Sequence, residues 1–366
     1  MKMVIAGGGT GGHIFPGIAV AKEFLKHDPG NAVLFLGTAK GLERDIVPQE
    51  GLPFKTVKVE GLTGKPVGKK IISLMKLPIA LGQSLWILLS YKPDIVLGVG
   101  GYVAGPVMIA AFLLNIPRII QEQNLIPGLT NKVLGRLVNG IAISFPESAS
   151  CFPVGKTQLT GNPIREGLYQ RIDEERGVKA TGAVPFTIFV FGGSQGAHQI
   201  NLALIESLDY LREIKGSLYF IHQTGKQDYL LVERGYQEQG FSAQVFPFVY
   251  DMPEKYQEAD LVICRAGATT VAELTAIGKP AVLIPYPYAA HNHQEINARA
   301  LKEHGAAELI LSRDLTAEML ANTIIALWQN PHRLKEMSNK ARQMGRPEAA
   351  RQVVELIYQI LKTKKS

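Results

Sequence analysis

The residues of this chain best suited to chemistry stand at the ends of glycine-rich turns. In Gly7-Gly8-Gly9-Thr10-Gly11-Gly12-His13 an imidazole follows a glycine run, and His13 is the histidine placed in such a turn behind a strand. That placement makes His13 the candidate general base; a hydrogen bond that merely holds the turn is its structural alternative. Glu122 and Asn124 close the apolar run Arg118-Ile119-Ile120 and are the other polar groups in reach. A second constellation, Cys264-Arg265-Ala266-Gly267-Ala268-Thr269-Thr270-Val271-Ala272-Glu273, follows Leu261-Val262-Ile263 and opens a helical pattern. Unpaired backbone N–H groups at such a strand-to-helix turn attract anions. Glu273, one turn in, offers a carboxylate to a sugar diol. The spacing of Thr270 and Glu273 also fits a capping box, in which the glutamate would only close a helix.

Strands and helices in alternation must position these groups. Residues 3–6 read as a buried strand, and Pro16 to Leu25 as the helix after the first glycine turn, with Pro16 suited to a first turn. Further strands are expected at 33–38, 93–102 and 118–124, with an apolar helix over 105–114. The layout restarts at Thr187-Ile188-Phe189-Val190-Phe191-Gly192-Gly193-Ser194-Gln195-Gly196-Ala197, followed by a helix to Leu208 and strands at 218–222, 243–249, 261–264 and 281–284. Alternation of this kind implies parallel sheets with sites at the strand C-termini. His13, Tyr102, Glu122 and Asn124 then converge on one cleft. Gly161-Asn162-Pro163-Ile164-Arg165-Glu166-Gly167 reads as a hinge between two similar α/β halves. The first glycine turn is not a clean G-x-G-x-x-G, so a turn that only needs glycine is an open reading of it.

Length and composition agree with two domains. At 366 residues the chain exceeds the usual size of a single core. Its 37 glycines and 21 prolines follow no short period, which excludes collagen-like and low-complexity chains. The net charge of +7 points to an acidic partner. Cys151 and Cys264 are too few for a disulfide framework or a cysteine-rich metal site. His291-Asn292-His293 has no acidic or cysteine partners to complete a metal site. The N-terminus lacks the apolar core of a signal peptide, and no run reaches 18 apolar residues, so a cytosolic protein is expected. Between Lys55 and Lys76 there are six lysines and one acid, Glu60, ahead of an apolar stretch through Leu89. This segment fits either a surface lying on anionic lipid or a buried crossover helix behind a solvated loop. At the other end, apolar residues 353, 356, 357, 360 and 361 form a helical stripe.

Six motifs occur in order: Gly8-Gly9-Thr10-Gly11-Gly12-His13-x-x-Pro16, Gly100-Gly101-Tyr102-x-x-Gly105-Pro106, Glu122-Gln123-Asn124, Gly161-Asn162-Pro163-x-Arg165, Gly192-Gly193-Ser194-Gln195-Gly196-Ala197 and Arg265-x-Gly267-Ala268-x-Thr270-x-x-Glu273. Together, over essentially the whole chain, they resemble the MurG family of bacterial peptidoglycan N-acetylglucosaminyltransferases. The resemblance implies a GT-B fold, two Rossmann-like doubly wound parallel-sheet domains facing across a cleft. It implies an acceptor- and membrane-binding domain over 1–160, with a C-terminal helix at about 347–366 packing back on it. A UDP-GlcNAc-binding domain is then expected over 161–346. The implied reaction is inverting transfer of GlcNAc from UDP-GlcNAc to the C4 hydroxyl of MurNAc in undecaprenyl-linked lipid I, giving lipid II.

The resemblance also assigns residues. His13, Glu122 and Asn124 are expected to be catalytic. Thr10, Gly11, Gly12, Asn124, Arg165, Ser194, Val249, Ala268, Thr269, Thr270, Val271, Ala272, Glu273 and Gln294 are expected to bind substrate. Among these, the turn at Ser194 would hold the diphosphate, the Val249 backbone the uracil, Glu273 the ribose and Gln294 the GlcNAc. His293 departs from the pattern, since a glutamine can stand there in relatives. A membrane patch is expected at Lys69, Lys70, Ile71, Leu74, Leu77, Leu81, Leu85 and Trp86. No metal or other cofactor and no nucleic acid are expected. Expected partners are an anionic membrane surface and other cell-wall synthesis proteins, with the chain peripheral on the cytoplasmic face of the cell membrane. Transfer to another lipid such as diacylglycerol, a nicotinamide-dependent oxidoreductase and a non-catalytic membrane scaffold are the competing readings. No acidic residue stands directly after the second strand, at Gly37-Thr38-Ala39-Lys40, to favour the nicotinamide one.

Overall fold

The computed structural model describes residues 1–59, 77–165, 168, 185–193, 195–289 and 292–363. The chain divides into two compact units, Met1–Glu166 with Arg346–Ser366, and Gly167–Gly345. Residues 161–165 thus belong with the first unit, as does the C-terminal helix.

In the first unit, β1 (Lys2–Gly7), α1 (Gly11–His27), β2 (Ala32–Gly37), α2 (Glu43–Gln49), β3 (Phe54–Thr56) and α3 (Leu77–Tyr91) come first. They are followed by β4 (Ile95–Gly100), α4 (Ala104–Leu113), β5 (Arg118–Glu122), α5 (Leu129–Leu134), β6 (Gly140–Ile143) and β7 (Thr157–Leu159). The seven strands order as β3-β2-β1-β4-β5-β6-β7, and every neighbouring pair is parallel. Runs such as Met3-Val4-Ile5-Ala6 and Ile95-Val96-Leu97 are fully buried because helices cover both faces of the sheet. One layer of core holds Val4, Leu36, Val107 and Met108, the other Ile5, Phe24, Phe35 and Val353.

The second unit repeats the plan with β8 (Phe186–Phe191), α6 (His198–Ser207), β9 (Leu218–Gln223), α7 (Tyr229–Gln239), β10 (Ala243–Phe246), α8 (Met252–Glu258) and β11 (Leu261–Cys264). Next come α9 (Ala268–Ile277), β12 (Ala281–Leu283), α10 (His293–Glu303), β13 (Ala307–Leu309), α11 (Ala317–Trp328) and α12 (Pro331–Met344). Its strands order as β10-β9-β8-β11-β12-β13, again all parallel. Both units therefore reverse strand order beside their first strand, between β1 and β4 and between β8 and β11. That reversal opens the crevice where doubly wound sheets bind ligands.

The last helix, α13 (Ala349–Thr363), buries Val353, Leu356 and Ile357 of the stripe seen in the sequence, together with Val354. It packs on α1, and Asn31, in the turn after that helix, donates to the Tyr358 hydroxyl at 2.9 Å. A Cβ at Gly140 would lie 2.6 Å from Ile360, so glycine at the edge of β6 admits this helix.

Helix α3 fits the crossover reading of its segment, and its outer face is apolar as well. Ala80, Ser84, Ile87 and Leu88 are buried as a crossover helix requires, and Leu77, Leu81 and Leu85 pack partly against the same core. Its outer face leaves Ile79, Leu89 and Trp86 exposed, the last at 65%. Ile109, Phe112 and Leu113 of α4 and Leu129 and Val133 of α5 extend this apolar surface. Cations border it, with Lys55 over Trp86 at 5.8 Å and Arg118 over Phe112 at 4.7 Å. Lys69, Lys70, Ile71 and Leu74 lie outside the described residues. Among the described residues no helix is long and apolar enough to cross a membrane.

Candidate active site

In the first unit the site is built where β1, β4 and β5 end. Gly9, with φ at +95°, turns the chain from β1 into α1, where Thr10 takes the extended N-cap conformation and its carbonyl accepts from the His13 and Ile14 N–H groups. A Cβ at Gly101 would lie 2.2 Å from the Gly8 carbonyl oxygen, so the glycines after β4 let the two turns touch. The His13 ring rests on Gly100, where a Cβ would come within 2.7 Å of Nδ1. That nitrogen lies 3.2 Å from Oε1 of Gln123. Thr10 is exposed, and Gly11, Gly12 and His13 are half-buried.

Glu43, which shows no local sign of function in the sequence, anchors this turn. It is fully buried; one oxygen accepts from Gly9 N–H at 3.0 Å, the other from Thr38 N–H at 2.8 Å and from the Thr38 hydroxyl at 2.7 Å. A Cβ at Gly8, Gly37 or Gly41 would collide with its side chain. The glycines thus make room for a carboxylate, and the carboxylate fixes the loop that carries Thr10 and His13.

Glu122 is also buried. Its oxygens accept from the Asn124 N–H at 2.9 Å, the Asn124 amide at 3.2 Å, the Gly128 N–H at 3.2 Å and the Asn131 amide at 2.8 Å. Four donors occupy the accepting capacity of a carboxylate, which suits it to shaping the loop of Asn124 and leaves little for proton transfer. Asn124 is half-buried at the head of that loop. Arg165, in the same unit, stacks its guanidinium on Phe15 of α1 at 3.7 Å.

In the second unit, Gly193 and Gly196 take positive φ after β8, and a Cβ at Gly196 would lie 2.0 Å from the Thr224 carbonyl oxygen. Ser194 lies outside the described residues; the turn ends in Ala197, the N-cap of α6. Behind it runs a buried polar row. Asn201 donates to the Thr224 carbonyl at 2.9 Å and to Asp228 at 2.8 Å, while its oxygen lies 3.0 Å from His222 Nε2. Burial holds the His222 pKa down, at about 3, with Asp228 opposing the shift. Gln223 joins two parts of the site: its amide donates to the Gly193 carbonyl at 2.9 Å and accepts from Val249 N–H at 2.8 Å.

Helix α9 begins at Ala268 with Gly267 as its N-cap, so the capping-box reading of Thr270 and Glu273 does not hold. Thr270 is already inside the first turn, and Glu273 is buried in the second, accepting from the Tyr256 hydroxyl at 3.0 Å. Val271 N–H donates to the Gly267 carbonyl and closes the first turn. Arg265, buried behind this turn, donates from Nη1 to the carbonyls of Ile284 and Pro285 and to the Ser312 hydroxyl. Burial lowers its pKa to about 10. It fixes the loop after β12, where Gln294 accepts from Tyr286 N–H at 2.9 Å. His291 lies outside the described residues, and among the described residues no cluster of three metal-binding side chains occurs.

Residues 3–143 match the model of the glycosyltransferase family 28 N-terminal domain, and residues 187–353 match that of the family 28 C-terminal domain. The chain belongs to glycosyltransferase family 28. It is 49% identical over 366 residues to the UDP-N-acetylglucosamine--N-acetylmuramyl-(pentapeptide) pyrophosphoryl-undecaprenol N-acetylglucosamine transferase of Myxococcus xanthus (strain DK1622), covering 99% of this chain and 93% of that one. It is 47% identical to the protein of the same name from Thermodesulfovibrio yellowstonii (strain ATCC 51303 / DSM 11347 / YP87), over 100% of both chains. Among solved structures, MurG of Acinetobacter baumannii superposes with a TM-score of 0.75 at 34% identity, covering 98% of this chain and 99% of that one. The two parallel-sheet units are those of the GT-B fold, as the ordered motifs led us to expect. Membership of family 28 sets aside the nicotinamide reading of the first glycine turn and the non-catalytic scaffold reading.

Proposed function

We propose that this chain transfers GlcNAc from UDP-GlcNAc to the C4 hydroxyl of MurNAc in lipid I, with inversion, to give lipid II. The observation that carries this is near-full-length identity of 47–49% to transferases named for that donor and acceptor. Transfer to diacylglycerol has no comparable support.

In this reading the first unit takes the acceptor and the second the donor. His13 Nε2 removes the C4 hydroxyl proton as that oxygen attacks the anomeric carbon. The bond from that carbon to the diphosphate oxygen breaks, and UDP leaves with the electron pair. Single displacement inverts the centre. The turn of Gly193 to Ala197 at the start of α6, with Ser194, meets the diphosphate, where N–H groups and the helix dipole favour negative charge. Arg165, rigid against Phe15, supplies a fixed positive charge. Glu273 accepts from the ribose, the Val249 backbone reads uracil, and Gln294 with the first turn of α9, Ala268 to Ala272, closes around the sugar. Thr10, Gly11 and Gly12 line the acceptor side with Asn124, which Glu122 holds in place. No metal is assigned a role, since the helix start is the charge stabiliser.

The apolar outer face of α3, α4 and α5, bordered by Lys55 and Arg118, supports docking on the anionic, cytoplasmic face of the cell membrane, where the lipid-linked acceptor is held. The test is direct. Purified protein with UDP-GlcNAc and a lipid I analogue is expected to release UDP and form the disaccharide. Intact UDP-GlcNAc after prolonged incubation contradicts the proposal.

A further inference from the structure

We infer that Gln123 is the positioning residue that decides which nitrogen of His13 carries the proton. The inference rests on the reading of His13 as base, and it begins from a row of buried side-chain amides. Gln121 and Gln123 are both buried beneath the His13 turn. The Gln123 nitrogen donates to the Val99 backbone carbonyl at 2.7 Å and to the Gln121 side-chain oxygen. A backbone carbonyl can only accept. The orientation of the Gln123 amide is therefore fixed, with its nitrogen on Val99 and its oxygen toward the imidazole.

Gln121 is locked in the same sense. Its nitrogen lies 3.2 Å from the Asn162 side-chain oxygen and 3.3 Å from the Ser144 hydroxyl. Ser144 gives its own proton to the Glu122 carbonyl at 2.8 Å, so it accepts from Gln121. Reversing either amide would place oxygen against oxygen at a buried position, a loss of about 1–3 kcal/mol for each unsatisfied group.

The consequence falls on His13. Gln123 Oε1, 3.2 Å from Nδ1, is an acceptor only, so Nδ1 must donate. A neutral imidazole has one N–H. The proton assigned to Nδ1 by this network leaves the lone pair on Nε2, the nitrogen able to take a proton from a hydroxyl. Gly100 lies beneath the ring, where any Cβ would displace Nδ1 and Cε1, so glycine there leaves the ring room to make this contact. An amide does this without a charge. A carboxylate in its place would favour the protonated ring and compete with its use as a base.

The experiment uses the full chain labelled with ¹⁵N-histidine, with His13→Ala to assign the His13 signals. The wild type is expected to show a protonated Nδ1 and a pyridine-like Nε2 at His13. In Gln123→Met, of similar shape but without the acceptor, that pattern should be lost, with kcat down about tenfold or more and KM for UDP-GlcNAc within about twofold. A wild-type ring protonated on Nε2 overturns the inference whether or not Gln123→Met folds. Full turnover in a folded Gln123→Met overturns it as well. Full turnover in His13→Ala would remove the base assignment instead, while the tautomer assignment would stand on the spectrum.

Discussion

Glu43 accepts a hydrogen bond from the backbone N–H of Gly9 at 3.0 Å while its other oxygen takes both the N–H and the hydroxyl of Thr38. One buried carboxylate thus ties the glycine turn that carries His13 to the end of β2. Both oxygens face backbone donors, so Glu43→Gln must point its NH₂ at one of them in either orientation. Charge-assisted bonds of this kind contribute about 1.5–3 kcal/mol. The variant should lose about 2 kcal/mol of stability and most of its turnover, while UDP-GlcNAc affinity, which the proposed reading assigns mainly to the second unit, stays within about twofold. Denaturant unfolding with calorimetric donor binding checks this. A glutamine variant as stable as the parent would show that Glu43 does not anchor the turn.

Glu273 separates recognition from helix capping. Because α9 starts at Ala268 and Glu273 lies in its second turn against Tyr256, its removal should leave the helix start intact. Glu273→Ala is expected to raise KM for UDP-GlcNAc by about tenfold to a hundredfold, the cost of a hydrogen bond to a charged group, with kcat little changed. Tyr256→Phe should show the same trend more weakly. If Glu273→Ala left KM unchanged and lowered only the melting temperature, the ribose role would be lost.

The apolar face gives a third expectation. Replacing Trp86 with aspartate exchanges an exposed aromatic for a charge that repels anionic lipid. Burial of one such side chain contributes about 1.5–3 kcal/mol, so binding to phosphatidylglycerol vesicles should weaken at least tenfold. Transfer to a short-chain, water-soluble acceptor should be unaffected. Undiminished vesicle binding in Trp86→Asp combined with Ile79→Asp would contradict docking through this face.

His222 predicts the acid limb of stability. Burial lowers its pKa from 6.5 to about 3 in the folded state, so below pH 6.5 the unfolded chain binds a proton that the folded chain refuses. Its stabilising contribution is fully present above pH 6.5 and is lost as pH falls toward 3, at up to about 1.4 kcal/mol per pH unit. Replacing His222 with glutamine, which can still bond Asn201, should flatten the decline of unfolding free energy between pH 6.5 and 4.5. Parallel curves for the two proteins would place the acid sensitivity elsewhere.

Much of this fold could be read from the chain, because buried parallel strands announce themselves as apolar runs closed by glycines. The run Leu261 to Cys264 is a strand over those same residues. Elements with mixed composition escaped, as the edge strands β3 and β13 and helices α11 and α12 did, and β6, apolar but only four residues long, is too short to announce itself. Local spacing misled at Thr270 and Glu273, where the capping box competed with a helix that starts three residues earlier because Gly267 supplies the extended N-cap. The role of Glu43, and that of Gln123 inside its motif, stayed hidden for a different reason. Their roles are set by Gly9 and Val99, 34 and 24 residues away, and no local pattern records a contact that only the sheet creates. His13 stood out through its own turn, whereas the amide that orients it did not.

The central claim is the reaction itself, and a competition between acceptors tests it most directly. The protein is given UDP-GlcNAc together with a lipid I analogue and diacylglycerol in the same vesicles, and the linkage of the product is read by NMR. The account predicts a single β-1,4 GlcNAc–MurNAc disaccharide, with diacylglycerol unmodified and turnover abolished or greatly reduced in His13→Ala. GlcNAc on diacylglycerol with the lipid I analogue untouched, or an α-linked product, would contradict it.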